Sequence, residues 1–220
     1  MEKAVKIPTY EELLKLGIEE REKGSVKQSI KCFEKTLLFA ERDNKKIVEV
    51  LSHLGLSYYH NGNQEKAKKT WQKAYKIAVK AKDYNGQAVA LRNLSRKQLY
   101  LNGSGLVQAL SCAEEAVSIA ENLGRKDLPW FLHGLFSATE VLGEKDKLKF
   151  ILRREIKALI KVWNKTPKLE RNVWLDGLLM DYVSIHDKIG KPLLYLARYL
   201  ARLQGLKRRE EQINNLLSLV

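Results

Sequence analysis

The chain has 220 residues, 45% apolar and 30% charged, with a formal net charge of +14 and a pI near 9.6. That is enough apolar matter for a continuous core in one large or two small domains. No apolar run reaches the roughly 20 residues a membrane-spanning helix needs, since "LLYLARYLARL" is broken by Arg198 and Arg202.

Taken in chain order, Thr9 with Glu12 forms a capping box opening a first helix, which contains Gly17 in "LLKLGIEE" and ends in a turn at Gly24-Ser25. Ser25 with Gln28 opens a second amphipathic run with Ser29 and Phe33 inward. The next pair is "LSHLGLSYYHNGNQEKAKKTWQKAYKIA": Gly55 lies mid-helix, Gly62-Asn63 turn the chain, Asn63 caps, and Ala67, Trp71 and Ala74 point inward. Ser95 in "LRNLSRKQ" precedes a turn at Asn102-Gly103-Ser104, with Ser104 as cap, then Ala109, Ala113 and Ala116. Gly134 in "WFLHGLFS" precedes Gly143 and a run carrying Leu148, Ile151, Leu152 and Leu159. Thr166 is the expected cap of the long run around "NVWLDGLLMDYVSIHDKIG", and "LKRREEQINNLLSLV" closes the chain. Pro8, Pro129, Pro167 and Pro192 all fall at or just before expected helix starts. With no strict apolar–polar alternation anywhere, the pattern predicts an all-α chain of about eleven helices in antiparallel pairs.

The small residues recur at intervals of 38, 40 and 39: Gly17, Gly55, Ser95, Gly134. A glycine inside a helix costs about 1 kcal/mol relative to alanine, so each is expected where a neighbouring helix crosses so closely that a larger side chain would hold the backbones apart. Cys32 and Cys112 then lie on equivalent helices two units apart, beyond the ~7 Å Cα separation a disulfide tolerates. They stand in no metal-ligand spacing, and the start "MEKAVKIPTYEE" lacks the basic-then-apolar build of a secretory signal. A cytoplasmic protein with reduced thiols is the expectation.

The stretch 51–74 resembles a tetratricopeptide repeat (TPR), whose signature runs W-x2-L-G-x2-Y, then A-x3-F and a further small residue. Leu51, Leu54, Gly55, Tyr58, Ala67, Trp71 and Ala74 take those places; Trp130 and Gly134 match again, with His133 where leucine is expected. The 38–40-residue spacing is similar to a longer-helix subclass found in peptide-binding adaptors and bacterial regulators. The match covers residues 10–125 and extends to 165, with a divergent unit and a capping helix beyond. The resemblance implies an α-solenoid of helix hairpins in one domain, with units at 9–43, 45–83, 84–124, 127–165 and 167–204 and a capping helix at 206–219. It also implies a non-enzymatic scaffold whose first helices line a concave groove for a partner's peptide or helix.

The expected groove residues are Leu14, Ile18, Ser52, Leu56, Tyr59, His60, Arg92, Arg96, Leu99, Tyr100 and Phe131. Leucines would supply burial and the two arginines would pair with acidic groups of the partner. A second copy of the chain, or its own C-terminal helix, is the other candidate occupant. Chaperone-tail adaptors of the family carry a clamp of lysine, asparagine, asparagine, lysine and arginine on these helices. The matching positions are Leu14, Ile18, Ser52, Ala88 and Arg92, so carboxylate-tail recognition is not implied.

Other chemistry is sparse. His53, His60, His133 and His186 are scattered, with no H-E-x-x-H, no G-x-S-x-G and no phosphate-binding loop, so no catalytic, metal or cofactor site is expected. His133 should pack at a helix crossing. Glu155 falls on the apolar side of its helix and should pair with a basic residue on an adjacent one. Residues 51–100 hold ten Lys/Arg against Glu65 and Asp83, and Lys66, Lys69, Lys73, Lys76 and Lys80 share one helix face, opposite Trp71. Arg153 or Arg154, Lys157, Lys161 and Lys165 make a second stripe. These rows offer the alternative function, nucleic-acid binding through phosphates, although no aromatics are interleaved for base stacking.

Overall fold

The computed structural model of the chain describes residues 8–100, 105–186 and 190–218. Among them are eleven α-helices, two short 3-10 turns (Lys97–Tyr100 and Trp163–Lys165) and no strand. The chain forms two compact units, Met1–Gly86 and Gln87–Val220.

The first unit holds α1 (Tyr10–Glu22), α2 (Val26–Phe39), α3 (Asn44–His60) and α4 (Gln64–Lys80), and α5 (Tyr84–Leu94) starts within it. The capping box at α1 is formed in both directions: the Glu12 amide donates to Thr9 Oγ1 (3.2 Å) and the Thr9 amide to Glu12 Oε2 (2.9 Å). The box expected at Ser25 is not formed. Its amide already donates to the Glu20 carbonyl at 2.8 Å, closing the end of α1, so Gln28 has no donor to receive. Asn63 likewise gives its amide to the Tyr58 carbonyl but still caps α4 by accepting from the Lys66 amide at 3.0 Å. Both turns need a left-handed residue at the helix C-terminus, which Gly24 (φ +89°) and Gly62 (φ +78°) supply.

Connections this short leave consecutive helices antiparallel and in contact, and α1–α2, α2–α3 and α3–α4 all pack. The recurring glycines are close-contact positions, but with an aromatic ring of the paired helix rather than with its backbone. A Cβ on Gly17 would come within 2.6 Å of the Phe33 ring, and one on Gly55 within 2.4 Å of Trp71 Nε1. The large residue of the second helix fills the space that the small residue of the first leaves open. Phe33 and Trp71 are fully buried, and the Trp71 indole N–H donates to the Ser52 carbonyl (3.0 Å), so nothing polar is stranded. Two more buried polar groups satisfy each other, Ser29 Oγ and Ser57 Oγ at 2.8 Å. Tyr10, Phe33, Ala40, Val50 and Leu54 form the core, flanked by Leu14, Ile18, Ile30 and Leu37.

The second unit continues with α6 (Leu106–Asn122), α7 (Leu128–Glu140), α8 (Lys145–Val162), α9 (Lys168–Ile185), α10 (Gly190–Leu203) and α11 (Lys207–Leu217). Each of α6 to α10 packs on its successor, and α7 also meets α9. Alanines at 109, 113, 116 and 120 give α6 a flat buried face that lets α7 approach. The expected cap Ser104 lies outside the described residues; Gly105 occupies the N-cap of α6. Thr166 does not cap α9: Pro167 holds that place, and the Thr166 hydroxyl donates back to the Val162 carbonyl at 2.9 Å. At the end of the chain, Val183, Leu194, Ala197, Ala201 and Ile213 join α9, α10 and α11 in one cluster. Neither cysteine is in a disulfide.

Candidate functional site

In the first unit, α1 and α3 lie side by side. The Tyr10 hydroxyl donates to Glu49 Oε2 (2.9 Å), and Arg21 Nη1 lies 3.2 Å from His53 Nδ1. A guanidinium only donates, so His53 accepts through a neutral imidazole; burial, with Arg21 next, holds its pKa down at about 3. On these two helices Leu14, Ile18, Leu56, Tyr59 and His60 are half-buried. Tyr59 packs edge-on against His60 (5.5 Å between ring centres) and leans on Trp71 (6.1 Å). Ser52 is buried, its hydroxyl turned back to the Val48 carbonyl at 2.8 Å.

In the second unit the expected residues divide. Arg96 and Leu99 are half-buried, whereas Arg92, Tyr100 and Phe131 are buried. Arg92 lies over the Trp130 ring, 4.4 Å from its centre, and its Nε approaches the Trp130 carbonyl at 3.5 Å. Its stem also lies against Gly134, where a Cβ would meet Arg92 Nε at 3.1 Å. The side chain that meets this glycine thus comes from α5 and not from the paired helix α8, unlike the rings at Gly17 and Gly55. Phe131 packs edge-on against Trp130 and beneath Arg125.

A cluster the sequence did not announce lies on α7, α8 and α9. His133, Glu155 and Asp181 bring one nitrogen and two carboxyl oxygens within 4.8 Å of one another. His133 Nδ1 is 2.7 Å from Asp181 Oδ2, and the His133 ring also rests on Gly177, so it does sit at a helix crossing. Glu155 is not paired with a base: both its oxygens are buried without a hydrogen-bond partner, and the group pressing on it is Asp181. Burial, then the Asp181 charge, pushes the Glu155 carboxyl well above its usual range, and burial does the same to Asp181. Burial holds His133 down at about 3, so the imidazole is neutral. Asp176, also on α9, is fully buried with both oxygens unpartnered, and burial raises it to about 7 against the opposing pull of Arg209. The signal that could have found the cluster was the substitution of histidine for leucine in the signature around Gly134. Its partners, 22 and 48 residues downstream, carry no spacing motif.

The lysines of α4 form an exposed row, with Lys69 paired to Glu65 at 2.7 Å and Lys66 over the Tyr58 ring. Tyr58 gives its hydroxyl to Glu34, so it is held in protein contacts. On α8, Arg154 pairs with Glu121 at 2.6 Å. No helix among the described residues is long and apolar enough to cross a membrane.

No family model matches the sequence, and no curated protein matches it. Solved structures do match the fold. A Podosopora anserina structure of the kinesin-light-chain kind, with nearly identical TPR-like repeats, shares 16% identity at a TM-score of 0.57, over 87% of this chain and 95% of that one. BtubC (BKLC) from P. vanneervenii shares 15% identity at a TM-score of 0.61, over 89% of this chain and 80% of that one. At such identity the likeness is one of fold: this is an all-α, TPR-like helical repeat.

Proposed function

We propose that this TPR-like chain is a non-enzymatic docking scaffold that takes a partner's helix or extended peptide on the faces of its first helices. The observation that carries the reading is the state of α1 and α3. Their glycine-bearing sides are closed by Phe33 and Trp71, while Leu14, Ile18, Leu56, Tyr59 and His60 stay half-buried. Apolar and aromatic side chains left partly open on rigid helices suit peptide capture, because little further ordering is required of them. In the second unit the half-buried residues of the same set are Arg96 and Leu99, and Arg96 supplies a cation for an acidic side chain. Arg92, engaged with Trp130, holds α7 rather than a partner.

Photo-crosslinking tests the reading. A crosslinking amino acid at position 59 should trap a partner protein from native extract, and the same group at the exposed position 72 on α4 should not. Trapping only at 72 would contradict the scaffold reading and favour the α4 lysine row as the contact surface. The lysine row makes polyanion binding the second reading, and salt separates the two. Binding through several phosphates falls by orders of magnitude between about 50 and 200 mM salt; capture on an apolar face does not.

A further inference from the structure

The geometry points to a divalent transition-metal site made by His133, Glu155 and Asp181, one ligand from each of α7, α8 and α9. It is independent of the docking reading. Three observations meet here. The ligating atoms lie within 4.8 Å of one another, and they are one imidazole nitrogen and two carboxyl oxygens, a set suited to zinc or manganese. Glu155, at 1% exposure, has both oxygens unpartnered. The His133 ring is held against Gly177 with Nδ1 facing the cluster, 2.7 Å from Asp181 Oδ2.

Charge makes the same case. Two buried carboxylates cannot donate to each other, so Glu155 and Asp181 can hydrogen-bond only if one of them holds a proton. Arg92, Arg96 and Arg209 act on this cluster from outside it, but no basic side chain among the described residues hydrogen-bonds Glu155, so the two buried carboxyl groups face each other with no cation between them. A proton supplies one unit of positive charge and a divalent cation supplies two, with coordination to the unpartnered oxygens. The neutral state of His133 is the form that ligates. Zinc bonds of about 2 Å put ligand atoms ~3.3 Å apart. Side-chain rotation must therefore open the 2.7 Å His133–Asp181 contact and draw Glu155 in; a water can complete a tetrahedron.

The test is calorimetry on the full chain at pH 7.5, titrating Zn2+ and Mn2+, with Mg2+ as the hard-cation control, in two buffers of different ionisation enthalpy. We expect one Zn2+ or Mn2+ per chain, no Mg2+ binding at the same concentration, and release of about one proton. Glu155→Gln and Asp181→Asn should each weaken binding at least tenfold, and His186→Gln should leave it unchanged. Glu155→Gln mimics the protonated acid, so its fold should survive. If it does not, 15N NMR of the wild-type histidines decides the matter, since Zn2+ must shift the His133 ring before the other three. Unchanged binding in Glu155→Gln, no stoichiometric binding, or a metal-induced shift at another histidine would each overturn the site and leave a proton-sharing carboxyl pair in its place.

Discussion

The two units build the same helix pair with different interiors. In the first, the gap beside each mid-helix glycine is filled by an aromatic ring, Phe33 on Gly17 and Trp71 on Gly55, and the buried polar groups between the helices find partners. In the second, Gly134 on α7 is met by Arg92 from α5 rather than by a ring of the paired α8, and α7, α8 and α9 hold the half-buried His133 with the buried Glu155, Asp176 and Asp181. Both units hold titratable groups beside these contacts, a histidine in the first and an acid-rich cluster in the second. The aromatic contacts themselves do not titrate, so in the first unit pH acts through His53, stacked on Phe33. A filling of ionisable groups costs stability at one end of the pH scale and creates a place where a cation can act.

Removing the ring should show the first half of that contrast most strongly. Trp71→Ala deletes a fully buried side chain, and urea unfolding should register a loss of about 3–5 kcal/mol. Gly55→Ala attacks the same contact from the other helix. Its Cβ would lie 2.4 Å from Trp71 Nε1, and overpacking should cost about 1–3 kcal/mol. Gly134→Ala is the matched comparison. Its Cβ meets a flexible arginine at 3.1 Å, so the change should stay within about 1 kcal/mol, helped by alanine's helix propensity.

Asp176 sharpens the second half. Its folded pKa of about 7 lies above the unfolded value, so folding favours the protonated form. That stabilisation is complete below about pH 4 and is lost as pH rises through 7. Asp176→Asn should therefore gain on the wild type by about 3 kcal/mol between pH 4.5 and pH 8 in urea melts. His53 runs the other way. With a folded pKa near 3, its contribution is present above about 6.5 and is lost as pH falls, so the two slopes oppose each other between pH 4 and 6.5. The smallest effect belongs to the cap: Thr9→Ala should cost about 1 kcal/mol, a small drop in melting temperature.

The fold was legible because helix pairing leaves marks on local sequence: capping residues, turn glycines and a period of 38–40. It was less legible where the backbone satisfied itself. Ser25 looks like a capping-box residue, but its amide had gone to Glu20. The reason for the glycines was legible only in part, since a period says that something comes close without saying whether it is a backbone or a ring. Of the expected groove, Ser52, Arg92, Tyr100 and Phe131 are buried. Helical spacing gives the side of a helix a residue occupies, but not how far a neighbour covers that side. The cluster of His133, Glu155 and Asp181 was illegible for a related reason. Its members come from three helices, and only the packing of α7, α8 and α9 determines that they meet.

Hydrogen exchange with a bound partner tests the docking claim most directly. Adding a captured partner should slow amide exchange in α1 and α3, residues 10–22 and 44–60, and leave α4, residues 64–80, unchanged. Protection confined to α4 would contradict the account and transfer the binding surface to the lysine row.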